Sequence, residues 1–403
     1  MLCPGFLWSL GMKMDNVKEP LWKNSFGAII CLVLLLLAIG CINVFSASQV
    51  IAEDLFSNSR HYLYRYGLHA LLGILIMFAF TKINYRIWLH NAERLAVLVV
   101  ALLAFVLFFS EPVNGARRWL QLGPGFSLQP SEFAKMIMIF LCADAFGRHV
   151  DVGKRCTLRS TPCAWALVIG VLVYKEPDMG TAAIIVTLTL GIYFICKLPP
   201  WQNFLLFSIV PVSAIILAQG ASYRAQRIEA WLNPWEYAHE AGYQTIQSIM
   251  AIGSGGFWGT GFGQGNSKFY YLPEAHTDFS FAVLCQEWGF VGTVGVIIVF
   301  VFLCYILWKS ADIAPDGASY LIIMGTNFLL TGQAVANIAM VMGLLPVIGV
   351  PLPFISYGGT SLLTNMAMLG IVLNIVKNGQ KKAMASTGQF TQEPERRLRL
   401  VKG

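Results

Sequence analysis

Long apolar runs alternate with short polar segments along almost the whole chain. A bilayer is crossed by about 20 apolar residues in helical conformation. The hydropathy pattern therefore predicts about ten transmembrane helices and an all-α polytopic membrane fold. The predicted spans are 26–46, 66–81, 92–110, 130–146, 162–175, 180–196, 201–219, 279–307, 317–343 and 361–377. We expect a membrane domain over 26–378, a short segment 1–25 before it, and a flexible basic tail 379–403 after it.

Composition supports this class of protein, because 56% of the residues are hydrophobic and only 12% are charged. The formal net charge of +7 would by itself suggest a nucleic-acid partner. Placing the N-terminus in the cytoplasm, however, puts most of the 28 lysines and arginines into cytoplasmic segments. The positive-inside rule thus explains the charge, predicts that both termini are cytoplasmic, and removes the argument for nucleic acid.

The opposite, extracytoplasmic face receives the longest predicted loop, about 220–278, between the seventh and eighth spans. Loops of this length are usually functional or disordered, and the regular apolar and aromatic positions argue against disorder. We predict short interfacial helices near 223–232 and 243–252.

The segment Leu272–Phe281, LPEAHTDFSF, closes this loop at the start of an apolar run. An ionisable residue at the mouth of a span is a functional candidate, and Asp278 could act as a general base. The alternative is that Asp278 caps the following helix. Glu274 and His276 in the same segment are candidate substrate-binding residues. The alternatives are a structural hydrogen bond for His276 and stabilisation of the turn after Pro273 for Glu274.

A second polar segment, GARRWLQLGPGFSLQPSEFAK, covers 115–135. Paired guanidinium groups suit a diphosphate, so Arg117 and Arg118 are candidates for binding one. The alternative is an interfacial anchor, with Trp119 in the aromatic belt. The same two interpretations apply to Arg224 and Arg227.

Charged side chains also fall inside predicted spans. Glu132 and Lys135 are three residues apart and are predicted to form a buried ion pair beside Gln129. Glu287 also needs a partner within the membrane, and Lys135 is one candidate. The glycine-rich GTGFGQG at 259–265 follows no strand and is not a nucleotide fingerprint.

Several of these segments together carry a family resemblance. They are GARRW (115–119), QPSEFAK (129–135), EPDMGTA (176–182), YRAQRI (223–228), GYQTIQSIMAIGSGGFWGTGFG (242–263), LPEAHTDF (272–279) and GLLPVIGVPLPFISYGGTS (343–361). In this order and spacing, over about residues 25–378, the chain resembles the SEDS family (FtsW, RodA and SpoVE). Met179, Thr360 and the Gln286–Glu287 pair are conservative departures from the family pattern.

The resemblance implies a peptidoglycan glycosyltransferase that polymerises lipid II at the outer face of the bacterial cytoplasmic membrane. It implies that Asp278 is the essential acidic residue, and that Trp119, Gln129, Glu132 and Lys135 are functionally important. The implied partners are lipid II, the lipid-linked glycan strand, a class B penicillin-binding protein and other divisome or elongasome membrane proteins.

The motifs favour a division-type over an elongation-type role. No cofactor is implied with certainty, although a divalent cation, Mg²⁺ or Mn²⁺, could share in binding the diphosphate. Two rival hypotheses stay open at this point: a lipid II flippase or transporter, and a non-catalytic scaffold that activates the penicillin-binding protein.

Overall fold

The computed structural model describes residues 25–112, 116–123, 126–153, 160–196, 198–205, 208, 222–240, 242–268 and 272–401. Residues 1–24 of the predicted segment 1–25 and most of the predicted span 201–219 lie outside these residues. The helices are α1 (Ser25–Phe56), α2 (His61–Lys82), α3 (Tyr85–His90), α4 (Ala92–Phe109), α5 (Pro130–Asp151), α6 (Ser160–Lys175), α7 (Met179–Ile195), α8 (Ser222–Leu232), α9 (Tyr243–Gly255), α10 (Ser280–Ala311), α11 (Gly317–Val341) and α12 (Gly359–Val401).

Within the described residues, six helices are long and apolar enough to cross a membrane: α1, α2, α4, α10, α11 and the Gly359–Ala383 part of α12. The helices α6 and α7 are apolar but shorter. The predicted polytopic helical membrane fold is confirmed, and the chain is a multi-pass membrane protein. The predicted loop helices are also present, as α8 and α9.

Helix α3 and a β-hairpin after α4 were not predicted. A short antiparallel hairpin joins β1 (Leu120–Gly123) to β2 (Phe126–Leu128), with Leu120 paired to Leu128. It lies directly before α5, and the sequence between its strands contains proline and glycine, which are residue types that favour turns.

Helix α5 is the centre of the bundle and packs against α4, α6, α7 and α11. Pro130 occupies its first turn, where the missing N–H removes no helical hydrogen bond. The stretch from Met136 to Ala143 is buried on every side and is entirely apolar. A helix that is apolar all round belongs in the interior of a bundle, which explains this central position.

The segments predicted to be cytoplasmic meet at one end of the bundle. Asp316 accepts a hydrogen bond from the Tyr85 hydroxyl at 2.6 Å and forms an ion pair with Arg86 at 3.3 Å. Asp316 also caps α11 through the Ser319 N–H. Asp151 accepts a hydrogen bond from the Gly317 N–H, and the Lys382 ammonium donates to the Pro315 carbonyl. The other end of the bundle carries the candidate site.

Candidate active site

A cavity of about 900 Å³ opens at the end of the bundle opposite Asp316. Its walls come from six regions: the first turns of α2, the hairpin with the start of α5, the α6–α7 turn, the helices α8 and α9, the segment 274–279, and the segment 347–361. Six regions of the sequence thus meet around a single volume, which is typical of a ligand site in a helical bundle.

Asp278 lies on the cavity wall, one residue before the N-cap of α10. The alternative role as a helix cap is wrong, because Phe279 is the N-cap and makes no side-chain cap hydrogen bond. Asn337 of α11 holds the Asp278 backbone by donating to its carbonyl oxygen at 2.7 Å. No described residue donates a hydrogen bond to the Asp278 carboxylate, so the carboxylate is available to a substrate.

The surroundings make Asp278 a weak acid. Burial raises its pKa to about 7, the charges of Glu274 and Asp178 add to the increase, and Arg118 opposes it. A carboxylate with a pKa near neutrality can accept a proton and release it again, which suits a general base.

Glu274 shapes the turn that presents Asp278. Its φ of 55° is in the left-handed region, which non-glycine residues seldom adopt. Its carbonyl oxygen accepts hydrogen bonds from the N–H groups of Thr277 and Phe279, and its carboxylate accepts one from the Thr277 hydroxyl at 2.7 Å. Glu274 also lines the cavity, so the structural role and contact with a ligand are compatible.

His276 is not among the residues that line the cavity. Its ring packs against Tyr62 and Tyr357, at centroid distances of 4.6 and 5.8 Å, and its carbonyl oxygen accepts the Tyr357 N–H. Burial lowers the pKa of the imidazole, which favours the neutral ring at physiological pH. These contacts support a structural role for His276 in positioning the loop.

The side chains of the adjacent residues Arg117 and Arg118 lie in different surroundings. Arg118 lines the cavity and donates to the carbonyl oxygens of Glu176 and Pro177. Arg117 is exposed, donates to the Leu107 carbonyl at 3.4 Å, and is not part of the lining. The expectation of a paired clamp is therefore not met in this structure, because successive side chains of the extended segment point to different sides.

Glu176, whose carbonyl oxygen accepts the hydrogen bond from Arg118, is fully buried. Burial raises the pKa of its carboxyl group to about 8, so this group is largely protonated at neutral pH. Glu176 therefore does not cancel the positive charge of Arg118.

Arg227 also lines the cavity and donates to the Val347 carbonyl at 3.4 Å. The side chain of Arg224 lies outside the described part of the structure. Trp119 lines the cavity next to Arg118.

Gln129 joins two walls of the cavity. Its amide donates to Asp178 at 2.8 Å, and its backbone N–H donates to the Thr360 hydroxyl at 3.2 Å. Asp178 at the same time caps α7 by accepting the Thr181 N–H at 3.1 Å.

The predicted ion pair between Glu132 and Lys135 is confirmed, with Nζ and Oε1 2.8 Å apart. Both side chains line the cavity although they are almost fully buried, at 4% and 1% exposed. The Lys135 ammonium also donates to Gln333 at 3.3 Å. The second oxygen of Glu132 has no partner among the described residues.

The suggested pairing of Glu287 with Lys135 is wrong. Glu287 pairs instead with Lys268 at 3.2 Å, and the Ser46 hydroxyl donates to both carboxylate oxygens of Glu287. None of these three residues lines the cavity.

Sequence reasoning missed a polar face of α2 that lines the cavity, formed by Tyr62, Arg65 and His69. Their spacing of three and four residues places them on one face of a helix, which was the signal available. Asp178 was also missed as part of the site, although Asp before an apolar run signals a helix start.

Within the described residues there is no group of three or more side chains able to hold a metal ion. Mg²⁺ is commonly held by one or two carboxylates together with substrate phosphates and water. The Asp278 carboxylate, which accepts no hydrogen bond from the described residues, could bind such a cation together with the diphosphate of a substrate.

The fold and the cavity define a helical membrane protein with a polar site at one end, and comparison with known proteins assigns its family. The FtsW/RodA/SpoVE family, described as cell cycle proteins, matches residues 27–381. The chain belongs to this family.

Individual relatives agree. The probable peptidoglycan glycosyltransferase FtsW of Coxiella burnetii is 36% identical over 360 residues, which is 88% of this chain and 96% of the relative. Stage V sporulation protein E of Bacillus subtilis is 35% identical over 359 residues, covering 86% of this chain and 95% of the relative.

Two solved structures are similar at 28% identity. One is from work on the structural coordination of polymerization and crosslinking by a peptidoglycan synthase complex, with a TM-score of 0.71 over 87% of this chain and 97% of the other. The other is the rod shape determining protein RodA of Thermus thermophilus, with a TM-score of 0.64 over 87% and 96%.

Proposed function

We propose that this chain is a peptidoglycan glycosyltransferase that polymerises lipid II at the outer face of the bacterial cytoplasmic membrane. The observation that carries the proposal is a free carboxylate, Asp278, on a cavity that also holds Arg118 and Lys135. A base and cations around one volume are what transfer from a lipid diphosphate requires. The names of the relatives support the same reaction class.

In the proposed reaction Asp278 takes the proton from the 4-hydroxyl of the acceptor N-acetylglucosamine. That oxygen forms a bond to C1 of the donor N-acetylmuramic acid, while the bond between C1 and the diphosphate oxygen breaks. The undecaprenyl diphosphate leaves with the electron pair, and Asp278 later releases the proton to water. A single displacement of this kind inverts the anomeric centre.

The leaving diphosphate needs positive charge rather than a proton donor. Arg118, Arg227 and Lys135, which all line the cavity, contribute it. A divalent cation held between Asp278 and the diphosphate would neutralise further charge. Trp119, Gln129 and Glu274 shape the walls against which the sugars lie.

A flippase is the main rival. A path for a charged head group would need polar side chains through the depth of the bundle. Below the cavity, however, α5 presents the buried apolar stretch from Met136 to Ala143. On α5 the polar lining of the cavity ends at Lys135, which favours chemistry at one face.

The proposed partner is a class B penicillin-binding protein, together with other membrane proteins of division or elongation. Support comes from the similar solved structure, whose subject is a complex that couples polymerization to crosslinking. The relatives named FtsW favour the division role.

The test is incubation of the detergent-solubilised protein with lipid II, with and without a class B partner, followed by gel analysis of glycan products. A ladder of glycan strands supports the enzyme, because detergent micelles have no two sides between which to flip a lipid. If strands are absent under both conditions while the partner complex forms, the scaffold hypothesis is favoured.

A further inference from the structure

A second cavity of about 420 Å³ lies beside the first, in the loop region that carries α8 and α9. Three residues, Arg227, Gln244 and Val347, line both cavities. The two volumes are thus neighbours that share one wall. The size of the second lies within the range of about 300–1,000 Å³ typical of small-molecule sites.

The walls of this second cavity are fixed relative to the first. The Trp231 indole donates to the Gly343 carbonyl at 3.0 Å, which ties α8 to the segment after α11. The turn between α8 and α9 closes through the Gly242 N–H, which donates to the Tyr237 carbonyl. A side chain at position 242 would meet the Pro234 carbonyl, so this closure requires glycine.

The lining combines two aromatic rings with neutral and acidic hydrogen-bonding groups. Trp231 and Tyr243 supply the rings, and the polar groups come from Gln226, His239, Glu240 and Gln244. Arg227, on the shared wall, is the only arginine or lysine among the described residues of the lining.

This chemistry suits sugars better than phosphates. The C–H faces of a pyranose pack on aromatic rings, while its hydroxyl and acetamido groups pair with amides and carboxylates. A diphosphate would instead call for several cations.

We infer that the second cavity binds the sugar units of the growing glycan strand that adjoin the unit reacting at Asp278. This inference rests on the proposed function. A polymerase that retains its glycan strand between additions must bind sugars beyond the reacting bond. The shared wall places the second cavity directly beside the first.

The first test measures binding without turnover. The probe is a lipid-free tetrasaccharide of alternating N-acetylglucosamine and N-acetylmuramic acid, added to full-length protein carrying Asp278→Asn. Binding is followed by tryptophan fluorescence. We expect Tyr243→Ala to weaken binding by about tenfold and Tyr243→Phe to keep it, because phenylalanine retains the ring.

The matched control is Trp235→Ala, since Trp235 is 69% exposed on the same loop and lies outside the lining. Glu240→Gln is a second variant, expected to weaken binding without removing a ring. Equal affinity in Tyr243→Ala, Glu240→Gln and the control would overturn the inference.

The second test compares strand lengths after equal consumption of lipid II by otherwise wild-type protein. Tyr243→Ala should give strands several-fold shorter than those from Trp235→Ala, because the strand escapes earlier. Strands of unchanged length would overturn the inference. Failure of the unaltered protein to polymerise would instead contradict the proposed function, and the binding test would still decide the inference.

Discussion

Two buried lysine–glutamate pairs in this membrane protein have the same chemistry and different surroundings. Lys135 and Glu132 are neighbours on α5 and face the large cavity. Lys268 lies in the loop between α9 and α10 and pairs with Glu287 of α10, and neither residue lines the cavity.

The pairs also differ in how completely their polar atoms are satisfied. Glu287 accepts from Ser46 through both oxygens, and Lys268 donates to Glu287, Ser46 and the Gly263 carbonyl. Glu132, in contrast, keeps one oxygen without a partner among the described residues. A complete buried network fixes structure, whereas an incomplete one beside a cavity is open to a ligand.

Backbone contacts around the second pair support its structural role. The glycine-rich loop donates from the Gly261 N–H to the Glu287 carbonyl. Helix α10 breaks at Gly289, where φ is 64°, and the N–H groups of Phe290 and Val291 donate to the carbonyl oxygens of Gly256 and Phe257. The sequence GTGFGQG thus serves close backbone packing. We therefore propose a functional role for the first pair and a structural role for the second.

The largest expected effect is on stability. Lys268→Met leaves Glu287 buried without its cation, and removal of one partner from a buried pair costs about 3–5 kcal/mol. We expect a marked fall in the thermal unfolding midpoint of the detergent-solubilised protein. The control is Lys309→Met, because the Lys309–Asp312 pair is exposed and contributes little.

The double variant Lys268→Met/Glu287→Gln sharpens this prediction. Removing both charges should restore much of the lost stability, and with it glycan synthesis, because no charge is left buried alone. Stability that stays as low as in the single variant would contradict a simple structural pair.

The next effect is on catalysis. Lys135→Met removes a cation from the cavity wall, and loss of one group that stabilises developing charge costs about 10²–10³-fold in rate. Here the double variant Lys135→Met/Glu132→Gln should not recover glycan synthesis, in contrast to the Lys268 case. Rates are compared by strand formation from lipid II, with unfolding midpoints measured in parallel. Recovery in the double variant would place both pairs in the same structural class.

The smallest effect is that of pH. Because the pKa of Asp278 is raised to about 7, the base is mostly protonated below neutrality. The apparent second-order rate constant should therefore rise with pH, increasing by about fivefold between pH 6 and pH 7 before it levels off. Lys309→Met protein should show the same profile. A flat profile from pH 5.5 to 8 would argue against Asp278 as the titrating base.

Much of the fold was predictable from the hydropathy of the sequence, because both lipid-facing helices and core helices of a membrane protein consist of long apolar runs. The span predicted at 92–110 is observed as Ala92–Phe109. The span predicted at 66–81 begins earlier, at His61. The hydropathy pattern did not include the first turn of this helix, because that turn contains the polar residues Tyr62 and Arg65. Both residues line the cavity.

Of the site, sequence and resemblance together indicated Asp278, Arg118, Trp119, Gln129, Glu132, Lys135, Arg227 and Glu274, all of which the structure brings to one cavity. Sequence could not show that Arg117 and Arg118 diverge, because side-chain direction in an irregular segment depends on packing. Nor could it find the partner of Glu287, because Lys268 and Ser46 reach it only through the tertiary fold.

The most direct test of the central claim is the rate of glycan strand formation by purified Asp278→Asn protein beside its matched control, Asp312→Asn. Both changes remove one carboxylate and keep its shape, but Asp312 is 44% exposed and outside the cavity. The account predicts that polymerisation of lipid II is lost in Asp278→Asn and retained in Asp312→Asn. Strand formation at the wild-type rate by Asp278→Asn protein would contradict it.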